Sequence, residues 1–246
     1  MFRLARSTPL IALAPLAALL LTACGGGGDS GSGAPASASS TAKAAAFSPA
    51  TACSPFQTPP VFSGRAQTPE AVLGFALGSR EVSTDEANIY LDALDASSPR
   101  VVTGVAASSV QGRVLKYAIV GREDKVSPAG LDRLRRAARQ LMDPNTSSAT
   151  AAALAASTPA ILWVAGNVHG NEESGADAAL RVLYELADRD DCAAARILDN
   201  AVVVVLPIQN PDGREADTRS NAYGFDMNRD WFARTQPETD GKLELL

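Results

Sequence analysis

Apolar residues recur along this chain in two periods. In "TPEAVLGFAL" (68–77) and "TDEANIYLDALDASS" (84–98) they repeat at helical spacing. Each stretch opens on a threonine suited to capping, and the first places a proline at its first helical position, so both are predicted helices. "RVVTGVAAS" and "GRVLKYAIVG" are rich in β-branched residues, and the polar turn around Gln111-Gly112 predicts two strands joined there. "SPAGLDRLRRAARQLMD" returns to helical spacing after a Ser-Pro start. Pro144 and an Ala-rich run then lead to a third strand, "PAILWVAG". A helix from about Glu172 to Asp188 and a continuously apolar strand, "AVVVVLP" at 201–207, complete the pattern. Unbroken apolar strands interleaved with helices need cover on both faces, so the fold class is α/β with helices on both faces of the sheet.

Composition narrows the setting. With 46% hydrophobic residues, 20% charged and a net charge of −5, the chain reads as an ordinary globular domain with one core. The acidic balance argues against nucleic acid as a partner. The first 23 residues, "MFRLARSTPLIALAPLAALLLTA", join a short basic start to an Ala/Leu-rich stretch and read as a secretory signal peptide. Leu21-Thr22-Ala23-Cys24 resembles the bacterial lipobox, in which the signal is cut before a cysteine that then carries lipid. Cys24 is therefore the expected lipidation site, and the membrane a partner through that anchor. Gly25 in place of Asp favours the outer membrane, on its periplasmic face. Residues 24–58, rich in Gly, Ser and Ala, read as a flexible tether, and residues 59–246 as the domain it carries. Export permits a disulfide between the remaining cysteines, Cys53 and Cys192. Two unlinked thiols are the alternative.

The chain's one histidine lies in "NVHGNEESG". His169 follows a strand read as buried and stands at the entry to a helix, where open α/β sheets place their ligands. With Glu172 in that helix's first turn, a spacing of three lets an imidazole nitrogen and a carboxylate converge on a cation. A glutamate drawn to a helix start by the macrodipole would give the same pair, so the stretch alone does not decide. Downstream, "LPIQNPDGRE" carries Asn-Pro-Asp-Gly, locally a turn. "TRSNAYGFDMNRDWF" gathers Arg219, Asp226, Asn228 and Arg229 into a short polar loop with aromatics.

Taken in order, His-Gly-Asn-Glu, Asn-Pro-Asp-Gly, Arg-x-Asn and Asp-x-Asn-Arg resemble the zinc carboxypeptidase family over roughly residues 65–246. The resemblance implies a mixed, mostly parallel sheet, Zn²⁺ as cofactor, and a peptide or protein with a free C-terminus as substrate. It assigns His169 and Glu172 as metal ligands and Asp226 as the carboxylate that receives the other N–H of His169. Asn228 and Arg229 would hold the substrate's terminal carboxylate, and Arg219, with Asn221 matching beside it, would stabilise the oxyanion.

The departure from the family is as definite. Its second zinc histidine and its general-base glutamate would follow residue 246, and the sequence holds no second histidine. Residues 59–246 are thus expected to be a partial, C-terminally truncated domain, inactive alone, with the apolar 201–207 strand short of a neighbour. Three other readings stay open: an aspartoacylase-like amidohydrolase, a peptidase of peptidoglycan stem peptides, and an envelope lipoprotein without catalysis.

Overall fold

The computed structural model of this chain describes Cys53, residues 59–243 and Leu245. The signal peptide, Cys24 and the tether other than Cys53 lie outside the described residues. Nine helices are seen among the described residues: α1 (Pro69–Leu73), α2 (Thr84–Ser97), α3 (Glu123–Val126), α4 (Pro128–Met142), α5 (Ser148–Ser157), α6 (Ser174–Asp188), α7 (Cys192–Asn200), α8 (Pro211–Glu215) and α9 (Pro237–Leu243). The strands are β1 (Val101–Ser108), β2 (Val114–Val120), β3 (Ala160–Ala165) and β4 (Ala201–Leu206), ordered β1-β2-β4-β3 in one sheet.

The sheet is mixed, and within the described residues its parallel part is a single ladder. β1 and β2 are joined by a tight turn with Gly112 at φ 82° and so must run antiparallel. β2 pairs antiparallel with β4, while β3 and β4 run parallel because a helical crossover separates them. Every residue of β4 is buried, as its unbroken apolar run requires. Its position corrects two expectations. β4 has a neighbour on each side, so it is not the strand left uncovered. β3, read as buried, lies at the edge with Ile161 and Leu162 at 42% and 48% exposure.

Helix ends follow local chemistry. α1 stops at Leu73 because Gly74 turns left-handed at φ 79°. α2 is capped by Ser83 rather than Thr84: the Ser83 hydroxyl accepts from Glu86 N while the Glu86 carboxylate accepts from Ser83 N. The Ala-rich run after Pro144 forms α5, capped by Ser147, in keeping with alanine's high helix propensity. α2 and α6 bury Tyr90, Leu91, Leu94, Leu180 and Leu183 against Ala118, Val120, Val203 and Val205 on one face of the sheet. On the other face, α4 sets Leu131 and Leu134 beside Ile119, Val202 and Val204.

The N-terminal approach is fastened to the far end of α6. A disulfide joins Cys53 to Cys192 at the first residue of α7. Asp188, fully buried, accepts from Gly64 N, Arg65 N, Ala66 N and the Ser63 hydroxyl at 2.7–3.0 Å. Burial alone would push this carboxyl up, but these hydrogen bonds outweigh it and hold it below the ordinary carboxylate range.

Removing that cradle should be costly. Asp188→Ala is expected to lower the unfolding free energy by about 2–4 kcal/mol in urea denaturation at pH 7, since it strands the buried Ala66 N–H and removes three further part-buried hydrogen bonds. Because the folded-state carboxyl is shifted down, its contribution is complete above about pH 4 and lost as the pH falls further. Asp188→Asn should therefore show a flatter acid limb, and an unchanged midpoint for the alanine variant would refute this account.

Candidate functional site

The site forms at the carboxyl ends of the parallel pair β3 and β4. Beyond β3, Asn167 adopts a left-handed backbone at φ 52°, a conformation asparagine tolerates better than most residues. Its buried amide donates to the carbonyls of His169, Gly170 and Glu172 at 3.0–3.1 Å, folding 169–172 into a tight turn. Glu172 N donates to the His169 carbonyl at 3.1 Å. α6 begins only at Ser174, so this turn, not a helical face, brings His169 and Glu172 together. That corrects the helix start placed at Glu172.

A second loop meets the first. Asn210 N donates to the Asn167 carbonyl at 3.2 Å, and Asn-Pro-Asp-Gly is the first turn of α8 rather than a simple turn. Asn210 caps that helix by accepting from Gly213 N at 3.0 Å, and its amide donates to the Arg219 carbonyl at 3.3 Å. The two loops touch through glycines. A Cβ at Gly170 would lie 2.0 Å from the Gly213 carbonyl carbon, and one at Gly213 would lie 2.5 Å from the Ser220 carbonyl oxygen.

His169, 5% exposed, is held from both sides. Its Nδ1 lies 2.8 Å from Glu172 Oε1, and its Nε2 lies 3.1 Å from Asp226 Oδ1. When Nε2–H donates to Asp226, neutral imidazole presents a lone pair at Nδ1 to the Glu172 carboxylate. Two lone-pair donors facing each other suit a cation between them, and a nitrogen–oxygen pair suits zinc. Among the described residues, no group of three His, Cys, Asp or Glu side chains could hold a metal ion.

Asp226 is the hub of the next layer. Besides His169, it accepts from Asn228 N at 2.9 Å and from Arg219 Nε at 3.1 Å. Partial burial pushes its carboxyl up, and the Asn228 and Arg219 contacts bring it below the usual range. Asn228 and Arg229 are the exposed residues of the 3₁₀ turn Met227–Arg229, whose Met227 is buried, and Arg229 Nη1 donates to the Asn228 carbonyl at 3.1 Å. Asn221 does not join them. It is buried, accepts from Tyr223 N and Phe225 N, and donates to Gln236 Oε1 at 2.8 Å, shaping the loop from within.

The fold is that of an α/β domain with a paired nitrogen and oxygen donor at its strand ends. Residues 87–243 match the family model described as zinc carboxypeptidase, and the chain belongs to that family. "Carboxypeptidase 2" of Trichophyton tonsurans is 38% identical over 85 residues, covering 35% of this chain and 16% of that protein. "Carboxypeptidase SOL1" of Arabidopsis thaliana is 37% identical over 84 residues, covering 33% of this chain and 17% of that protein. The chain thus matches under a fifth of the length of these curated relatives. Among solved structures, carboxypeptidase A from Helicoverpa armigera superposes with a TM-score of 0.50 at 16% identity, covering 72% of this chain and 47% of that one. Thrombin-activatable fibrinolysis inhibitor gives 0.51 at 13%, covering 68% and 44%. These two likenesses concern the fold.

Sequence reasoning misses Asn167, Asn210 and the two glycines as organisers. The signal available is an asparagine soon after each of two strands, where left-handed and capping conformations are needed. The glycine contact yields a test. Gly170→Ala should destabilise the protein by about 1–3 kcal/mol in chemical denaturation, because the obstructing atoms are backbone and cannot rotate away. A wild-type midpoint would mean that the loops do not approach this closely.

Proposed function

We propose that this chain carries part of the active site of a zinc metallocarboxypeptidase that removes C-terminal residues from peptides, held at a bacterial cell envelope by lipid on Cys24. One observation supports the reading above all: both ring nitrogens of the single histidine face carboxylates, at 2.8 Å and 3.1 Å. His169 Nδ1 and Glu172 would hold the metal, and Asp226 would fix the histidine's tautomer. Bound there, zinc supplies Lewis-acid activation of the scissile carbonyl. Arg229, a planar fork of donors, and the Asn228 amide would take the substrate's terminal carboxylate and set the register of the bond to be cut. Arg219 lies against Asp226 beside the histidine and would stabilise negative charge developing on the carbonyl oxygen. A catalytic zinc site takes three protein ligands, and these 246 residues contain one histidine, so on their own they are expected to bind zinc weakly and not to turn over.

Zinc titration of the chain by calorimetry at pH 7 tests the site. Binding is expected for the wild type and none for His169→Ala, while Asp226→Ala should weaken affinity by about 10–100-fold. An imidazolium donating to both carboxylates would satisfy the same distances without metal, so a wild type indifferent to zinc sinks the proposal. The anchor is tested separately. Cys24→Ser should move the protein from the membrane fraction to the soluble fraction, and a wild type already soluble would remove the lipid from the account.

A further inference from the structure

α9 puts a lysine where an apolar residue would be expected. Lys242 is 2% exposed, and its ammonium donates to Gln209 Oε1 at 3.0 Å. It also stands 4.1 Å from the centroid of the Trp231 ring. Glu238, earlier on α9, and Asp230, in the preceding loop, supply the nearby carboxylates, and β1, against which α9 packs, carries no titratable residue. Burial pushes the ammonium down to about 8, against the upward pull of those two acids. A methionine would fill similar volume without desolvating a charge. What the charge adds is a directional hold on the face of an aromatic ring.

Trp231 passes that hold on. Its indole N–H donates to Asn228 Oδ1 at 3.1 Å. An indole nitrogen only donates, so this contact decides which end of the Asn228 amide is oxygen and which is NH₂. Gln209, the other partner of the ammonium, is itself tied through Nε2 to the Gly166 carbonyl at 3.1 Å, at the root of the His169 loop. The lysine therefore has one contact at the root of the histidine loop and one beside the carboxylate-binding turn.

We propose that Lys242 is a positioning residue: its ammonium, seated between Gln209 and the face of Trp231, fixes the indole that turns the Asn228 NH₂ outward to receive a ligand carboxylate. The inference rests on the carboxylate-binding role proposed above for Asn228, and its test separates the two.

The chain contains two tryptophans, so a Trp163→Phe background leaves Trp231 as the sole reporter. In that background Trp231 fluorescence should show one transition near pH 8 between pH 7 and 9.5, lost in Lys242→Met. Binding of N-acetylphenylalanine and of its amide is then measured by calorimetry. Lys242→Met should weaken the acid by about three- to tenfold, the scale of one hydrogen bond, and leave the amide unchanged. Lys242→Arg should restore the acid. In the parent, acid affinity should fall as the pH rises through the transition, and Lys242→Met should be flat. A fluorescence transition that survives in Lys242→Met, or parent-like affinity of that variant for the acid, overturns the proposal. If Lys242→Met does not fold, Trp231→Phe decides: it keeps an aromatic ring for the ammonium while deleting the five-membered ring that carries the indole N–H. The same loss of acid binding is expected, and parent-like binding refutes the relay. A parent that binds neither ligand overturns the carboxylate-binding role of Asn228 and the relay's purpose with it, whereas a fluorescence transition that survives in Lys242→Met overturns the ammonium–indole contact alone.

Discussion

Two backbones in contact at Gly170 and Gly213 govern the geometry of everything above the sheet. The parallel pairing of β3 and β4 delivers two loops to the same edge, but parallel strands alone would leave them side by side and independent. Bare Gly170 lets the first loop press on the Gly213 peptide plane, and bare Gly213 makes room for the Asn210 amide and the Ser220 carbonyl. Asn167 and Asn210 then convert that closeness into fixed hydrogen bonds, one folding the histidine turn and the other holding the carbonyl of Arg219. The polar groups His169, Asp226 and Arg219 come together because the backbone approach, fixed by these two amides, brings their side chains within hydrogen-bonding distance.

How much of this is legible in the sequence depends on the kind of signal. β4 shows itself as a continuous apolar run because burial on both faces leaves a mark at every residue. β3 has nearly the same apolar composition and reads as buried when it is not, since a strand's place in the sheet is decided by pairing partners far away in sequence. α5 escapes the reading because alanine carries no periodic contrast, although it needs none to be helical. At the site, side chains with distinctive chemistry, such as His169 with Asp226, declare themselves by type and order. Asn221 does not: it shares a motif with Arg219 but points inward, and type alone cannot separate a ligand contact from a loop brace.

Beneath the exposed Asn228–Arg229 turn lies an unusually polar foundation. Asp230 and Glu238 are fully buried. Asp230 accepts from Thr235 N, the Thr235 hydroxyl and Gln236 N, and Glu238 accepts from Val110 N at 3.2 Å. Such groups are tolerable only when each is satisfied, and once satisfied they specify one arrangement more sharply than an apolar core would. The exposed turn is thus carried on a base that has little freedom to repack, a useful property beneath two side chains that must meet a ligand at fixed angles.

The disulfide between Cys53 and Cys192 also sets a load path. Tension applied to the chain before Cys53 is delivered through a covalent bond to the first residue of α7, at the end of the fold away from the His169 loop. The hydrogen bonds that Asp188 makes to residues 63–66 lie beyond that attachment and stay slack while the bond is intact. A pull from the N-terminal side would therefore reach the helical layer before it reached the strand ends that carry the histidine.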